Sequence, residues 1–152
     1  MEQTPPLNSG ITVPESKNVA FLKLLATDVT GKVLAENFYW LNESNNFKDL
    51  NSLPEPRLDI AVKLISTAGK HNYQVMVKNT GNSLAFMLNL KMVGKDSKQE
   101  ILPVFWSDNY LCMLPGESKV LELEIMNDDF IEVPVLEYST YGSSKKIVQE
   151  IK

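Results

Sequence analysis

Within residues 101–117, ILPVFWSDNYLCMLPGE, three aromatic side chains fall in six positions: Phe105, Trp106 and Tyr110, with Ser107, Asp108 and Asn109 among them. Aromatic faces offer large apolar platforms on which a sugar ring can stack, and Asp and Asn supply acceptors and donors for its hydroxyls. The group therefore has the chemistry of a carbohydrate-binding surface. The competing structural reading is favoured by composition. In it, Phe105 and Trp106 pack between sheets, and Asp108 or Asn109 caps a turn through side-chain to backbone bonds.

The remaining reactive side chains make weaker cases. His71 is the single histidine; it follows Gly69-Lys70 and reads as an exposed residue at a hairpin tip. Cys112 stands between apolar neighbours, with nothing nearby to lower its pKa. It reads as a small buried hydrophobe rather than a nucleophile paired with His71. Paired carboxylates could serve glycoside hydrolysis, and Asp108 is the best placed. Glu122 and Glu124, however, alternate with apolar residues and read as the solvated face of a strand. Asp128, Asp129 and Glu132 lack the regular ligand spacing of a calcium loop. Asn42-Glu43-Ser44 matches a glycosylation sequon but carries no weight alone. No catalytic residue, metal ligand or cofactor site is expected.

The elements that must position these side chains are strands. VAFLKLLATD and VTGKVLAENFYWL flank the turn Asp28–Lys32, where Gly31 can take positive φ, and form a hairpin candidate. Residues 42–57 are rich in Asn and Pro and read as a connector, with room for a helical turn between Asn45 and Leu53. Beyond it, alternation marks strand after strand. Leu58, Ile60, Val62 and Leu64 oppose Asp59, Ala61 and Lys63. Tyr73, Val75 and Val77 oppose Gln74, Met76 and Lys78. Leu121, Leu123 and Ile125 oppose Val120, Glu122 and Glu124. About seven strands follow Pro56, with turns every 8–12 residues, a spacing that predicts an all-β, antiparallel β-sandwich. The predicted division is a flexible tail (1–18), a β-hairpin and linker (19–53) and the sandwich (54–152).

Composition narrows the partners. The 152 residues carry a net charge of −4, with 43% hydrophobic and 22% charged residues. An acidic chain whose one adjacent basic pair is Lys145-Lys146 is not expected to bind nucleic acid. No apolar run is long enough to span a membrane. One cysteine permits no internal disulfide. The N-terminus does not read as a signal peptide, so either the protein is cytoplasmic or its signal lies outside this chain.

Two stretches together, ENFYWL (36–41) and ILPVFWSDNYLCMLPGES (101–118), resemble the C-terminal β-sandwich region of glycoside hydrolase family 2, in its exo-β-glucosaminidase and β-mannosidase branch. The resemblance covers roughly residues 19–140. It implies an immunoglobulin-like fold for the last domain and a hairpin that closes a preceding domain. It also implies a (β/α)₈ catalytic barrel, carrying two glutamates, elsewhere in a parent enzyme. No catalytic residue carries over to this chain. A Trp-Asn-like pair expected near Thr140-Tyr141 or Tyr141-Gly142 is missing.

The resemblance thus implies a non-catalytic accessory sandwich that buttresses the barrel. Its partners would be the barrel and the preceding domains, and the parent would work in the periplasm or outside the cell. The alternatives are a carbohydrate-binding module using the aromatic loop and a pure interaction domain. Phe105, Trp106, Asp108, Asn109 and Tyr110 are the candidates for carbohydrate or for a domain interface. On this reading Phe105 and Leu114 pack inward and Ser107, Asp108 and Asn109 fix a bend.

Overall fold

The computed structural model describes residues 18–66, 69–126, 132–143 and 147–151. The expected tail up to residue 17, the Asp128-Asp129 pair and the Lys145-Lys146 pair lie outside them. The chain divides into two compact units between Asp49 and Leu50.

The first unit is a hairpin. Strand β1 (Ala20–Thr27) pairs antiparallel with β2 (Val33–Leu41), with Phe21 opposite Trp40 and Lys23 opposite Phe38. The turn forms because Asp28 gathers its donors: its carboxylate accepts from the Thr30 amide at 2.8 Å, the Thr30 hydroxyl at 2.6 Å and the Lys32 amide at 3.0 Å. Gly31 completes it at φ 84°, a conformation without steric cost only for glycine. Those hydrogen bonds, the Thr30 hydroxyl's first, hold the Asp28 carboxyl below its ordinary value.

The second unit is an antiparallel sandwich of two four-stranded sheets. A short 3-10 turn, Lys48–Ser52, precedes it and buries Leu50. One sheet has the order β3 (Leu58–Ser66), β4 (Lys70–Asn79), β8 (Ser118–Met126), β6 (Val104–Trp106). The other has the order β10 (Ile147–Glu150), β9 (Pro134–Ser139), β5 (Ala85–Gly94), β7 (Leu111–Met113). Among the described residues eight strands follow Pro56, one more than the spacing predicts, because Leu111–Met113 forms a strand of its own. No described helix is long and apolar enough to cross a membrane.

The core follows the alternation. Ile60 and Val62 of β3, Tyr73, Val75 and Val77 of β4, and Leu121, Leu123 and Ile125 of β8 face inward from one sheet. Ala85, Leu88, Leu90 and Met92 of β5, Leu111 and Met113 of β7 and Leu136 of β9 meet them from the other. Each large aliphatic side chain so buried contributes about 1.5–3 kcal/mol. In β5 the inward set runs 85, then 88, 90 and 92. The register shift between Ala85 and Leu88, with Met87 at φ 51°, moves the alternation by one residue. Phe86 is then free to close against Tyr141 edge-on, with ring centroids 5.5 Å apart.

Candidate functional site

The stretch ILPVFW does not form one strand. Ile101 donates its amide to the Met92 carbonyl at 2.8 Å, and only Val104–Trp106 joins a sheet. Pro103, joined by a cis bond to Leu102, brings no amide hydrogen to a ladder. The short strand β6 sits at the edge of the β3-β4-β8-β6 sheet, paired with β8 through Val104 opposite Ile125, Phe105 opposite Glu124 and Trp106 opposite Leu123. After four intervening residues the chain enters β7, in the opposite sheet, paired with β5. The polar segment Ser107–Tyr110 is therefore the crossing between two sheets, not the turn of a hairpin.

That role explains its residue types. Where a strand leaves a sheet, the neighbour's backbone loses its partner, and an unsatisfied buried group costs about 1–3 kcal/mol. Ser107 extends the first ladder by one more residue. Its amide donates to the Glu122 carbonyl at 2.8 Å, and its hydroxyl accepts from the Glu122 amide at 2.9 Å. Asn109 does the same for the second sheet. Its Oδ1 accepts from the Leu90 amide and its Nδ2 donates to the Leu90 carbonyl, both at 2.9 Å. The Asn109 amide thus stands in for a strand residue beside β5, and its Oδ1 also accepts from the Tyr110 amide at 2.9 Å. Asp108, between them, is exposed; it accepts from the Asn109 amide at 2.8 Å and lies 3.5 Å from the Lys119 ammonium.

The three aromatics are dispersed by this geometry. Trp106 faces inward and packs, half-buried, against the core. Phe105 is its neighbour on a pleated strand, so it points the other way and is 56% exposed. Tyr110, at φ 56°, enters β7 with 57% of its surface exposed. The expected inward packing of Phe105 and Leu114 is corrected: Leu114 is also exposed, because inward places go to Val104 and Trp106 on one strand and to Leu111 and Met113 on the other. The bend set by Ser107, Asp108 and Asn109 is as the sequence reading has it.

Other expectations fall out similarly. His71 is not at a loop tip. It is the second residue of β4, opposite Ile125, half-buried and stacked on Tyr73 with ring centroids 6.2 Å apart. Its strand begins at Lys70. Cys112 is half-buried in β7. Glu122 is exposed, and Glu124 pairs with Lys70 across the same sheet face. Glu132, from the loop before β9, accepts from the Asp96 amide at 2.8 Å, the Ser97 amide at 3.2 Å and the Ser97 hydroxyl. These bonds, the hydroxyl's first, hold its carboxyl below the usual range. Among the described residues no cluster of His, Cys, Asp and Glu could hold a metal ion. Asn42 Oδ1 accepts from Ser44 and from the Asn46 amide, which makes the sequon a local turn.

Sequence reasoning missed Asn79. It is 0% exposed at the end of β4. Its Nδ2 donates to the Ser83 carbonyl at 2.8 Å and to the Met113 carbonyl at 3.0 Å, and its Oδ1 accepts from the Gly81 amide at 3.1 Å. It therefore ties the end of one sheet to β7 of the other. The signal was an Asn closing an alternating strand two residues before a glycine, the pattern of a side-chain-capped turn.

Two concavities flank these elements. One, of about 460 Å³, is lined by Ile65, Asn72, Gln74, Phe105, Glu122 and Glu124, with Trp106 among its neighbours. The other, of about 240 Å³, runs between Pro54–Pro56 and Phe86 and Tyr141.

Comparison with known proteins places this arrangement. A family model described as the exo-beta-D-glucosaminidase Ig-fold domain matches residues 37–140. The exo-beta-D-glucosaminidase of Arthroderma benhamiae is 32% identical over 151 residues, and that of Hypocrea virens 28% identical over 129 residues. These matches cover 88% and 70% of this chain but 17% and 14% of those proteins. The crystal structure of the Amycolatopsis orientalis exo-chitosanase CsxA superposes with a TM-score of 0.78 at 24% identity, over 92% of this chain and 19% of that one. This last likeness shows the fold. The chain spans less than a fifth of the length of the relatives it matches. It belongs to the exo-beta-D-glucosaminidase Ig-fold domain family.

Proposed function

We propose that this chain is the non-catalytic accessory sandwich of a larger family 2 glycoside hydrolase acting on β-D-glucosaminides, and that it packs against the catalytic and preceding domains of that enzyme. The observation that carries the reading is the use made of the polar side chains in the aromatic stretch. Ser107 and Asn109 are committed to backbone groups of Glu122 and Leu90, so the most site-like segment works as a sheet crossing. The curated relatives, several times longer, leave ample chain for a separate catalytic domain.

The hairpin supplies the contact. Strands with one solvated face alternate apolar and polar, whereas strands covered on both faces read as near-continuous apolar runs. On one face β1 and β2 carry Phe21, Phe38 and Trp40, and on the other Leu22, Leu24, Tyr39 and Leu41. Leu25, Leu34, Tyr39 and Trp40 are exposed, and a lone two-stranded ribbon is marginal in water. The hairpin completes the preceding domain of the parent, whose own strands cover these faces.

Two assays test this. The purified chain should not hydrolyse an aryl β-D-glucosaminide above the buffer blank; turnover by the chain alone would refute the accessory role. Added to a parent enzyme truncated before residue 19, the chain should co-elute with it on size exclusion. Separate elution at micromolar concentrations would count against docking.

A further inference from the structure

On the solvent side of the β3-β4-β8-β6 sheet, two cross-strand rows lie side by side. Gln74 of β4 is opposite Glu122 of β8 in one, and Asn72, Glu124 and Phe105 of β6 follow in the next. Together with Ile65 they line the groove of about 460 Å³. The groove has three properties of a ligand site rather than of a solvated sheet face. It is concave, it combines a large apolar platform with convergent polar groups, and its polar groups differ in charge state. Phe105 is 56% exposed although its neighbour Trp106 packs on the core. Its exposure therefore follows from strand pleating and is not a loose loop. Gln74 and Asn72 offer amide donors and acceptors along the floor.

The carboxylates decide the ligand class. Glu124 is neutralised by Lys70. Glu122 makes no ion pair among the described residues; its backbone amide is taken by Ser107, which leaves its side chain on the exposed face. One uncompensated carboxylate beside an aromatic face suits a sugar that carries a cation: the ring stacks, and the ammonium reaches the carboxylate and the ring quadrupole. On the β3 side Ile65 bounds the groove, and Lys63 stands opposite Gln74 outside its lining. Resting on the reading that the parent acts on β-D-glucosaminides, we propose that this groove is an accessory subsite for glucosamine oligomers, with Phe105 as the stacking platform and Glu122 as the ammonium partner. It would hold the polymer and select its de-acetylated form.

The test uses the whole chain with Trp40→Phe, so that Trp106 is the remaining indole beside the groove. Fluorescence and calorimetric titrations with glucosamine hexamer should show binding that weakens as salt rises. N-acetylglucosamine hexamer should bind about tenfold more weakly or not at all. Phe105→Ala and Glu122→Gln each alter an exposed side chain and should leave the unfolding midpoint in place. Each should weaken glucosamine-hexamer binding by roughly tenfold, the scale of one lost ionic or stacking contact. Tyr110→Ala, outside the groove, should change nothing. Absence of binding at millimolar ligand, or affinity unmoved by both Phe105→Ala and Glu122→Gln, would overturn the subsite. Such a failure with hairpin docking intact would leave the accessory role standing, whereas hydrolysis by the chain alone would refute that role instead.

Discussion

The hairpin and the sandwich are built from the same kind of sequence, short strands rich in aliphatic and aromatic residues, yet they meet water differently. In the sandwich most apolar residues of each sheet go to an inner face, where Leu88, Ile125 and Leu136 are fully buried, while Ile65, Met76, Phe105 and Val120 stay exposed on the outer one. In the hairpin both faces carry large apolar side chains, with the Lys23–Glu36 pair among them, no inner layer separates them, and Leu25, Leu34, Tyr39 and Trp40 stay exposed. The sandwich strands find their partners within the chain. The hairpin strands have an apolar demand that two strands cannot meet. A region that satisfies its own alternation folds as a unit, and on the reading proposed above the hairpin, which does not, is completed by another domain.

The largest effects should separate the two regions. Leu123→Ala removes a side chain 1% exposed in the inter-sheet core and should cost about 2–5 kcal/mol in urea unfolding. Leu25→Ala, at 53% exposure in the hairpin, should stay within about 0.5 kcal/mol in the isolated chain. Equal losses would mean that the hairpin is already covered. Next comes Asn79→Ala. It strips the side-chain donor from the Ser83 and Met113 carbonyls, while the Gly81 amide keeps its bond to the Arg57 carbonyl, and should cost about 2–3 kcal/mol from buried polar groups left unpaired.

The crossing offers a finer contrast. Asn109→Ala strips both partners from Leu90 and should cost about 2 kcal/mol. Asp108→Ala, one residue away, loses an exposed pair with Lys119 and an exposed bond from the Asn109 amide and should cost less, about 1 kcal/mol or below. A reversal of that order, measured by denaturant midpoints, would contradict the assignment of Asn109 as a strand surrogate.

The smallest effect concerns two exposed carboxylates, one in each region. Asp28 and Glu132 both titrate below their ordinary values of 3.8 and 4.5, each chiefly because a hydroxyl, of Thr30 or Ser97, donates to the ionised form. A carboxyl with a depressed folded pKa adds stability that is present above its unfolded pKa and lost as pH falls through its folded value. Both contributions are thus in place at neutral pH and disappear in acid. They should differ in kind. The partners of Asp28 lie within four residues, so its local turn can persist when the chain unfolds. Glu132 reaches residues 35 and 36 positions away, so its bonds vanish on unfolding. Carboxyl NMR titrations should give folded midpoints below 3.8 for Asp28 and below 4.5 for Glu132. On unfolding, Glu132 should recover its ordinary midpoint more completely than Asp28. Identical recovery would contradict the distinction.

How much of this was legible beforehand depended on where the physics was local. Alternation fixed the inward sets of β3, β4 and β8, because side chains on a pleated strand have no other choice. The turn at Asp28–Lys32 was legible for the same reason, and so was the bend at 107–109. The crossing was not legible. Whether β6 and β7 share a sheet depends on which backbone groups Ser107 and Asn109 satisfy, and those belong to Glu122 and Leu90, 15 and 19 residues away. The bulge at Met87 and the buried role of Asn79 were hidden likewise. The aromatic cluster looked like one site because it is contiguous in sequence. The pleat and the sheet switch divide it into a core residue, Trp106, and two exposed rings, Phe105 and Tyr110, on either side of the crossing.

On the proposed reading the sandwich is self-sufficient and the hairpin is completed by a neighbouring domain of the parent. Amide hydrogen exchange on the chain alone and within the intact parent tests it most directly. The β4 and β8 amides should be strongly protected in both; the hairpin should differ between them. Exchange across 20–41 should be fast in the isolated chain, with protection rising by at least about a hundredfold, roughly 2.7 kcal/mol, in the parent. Hairpin amides protected equally in the isolated chain and in the parent would contradict it.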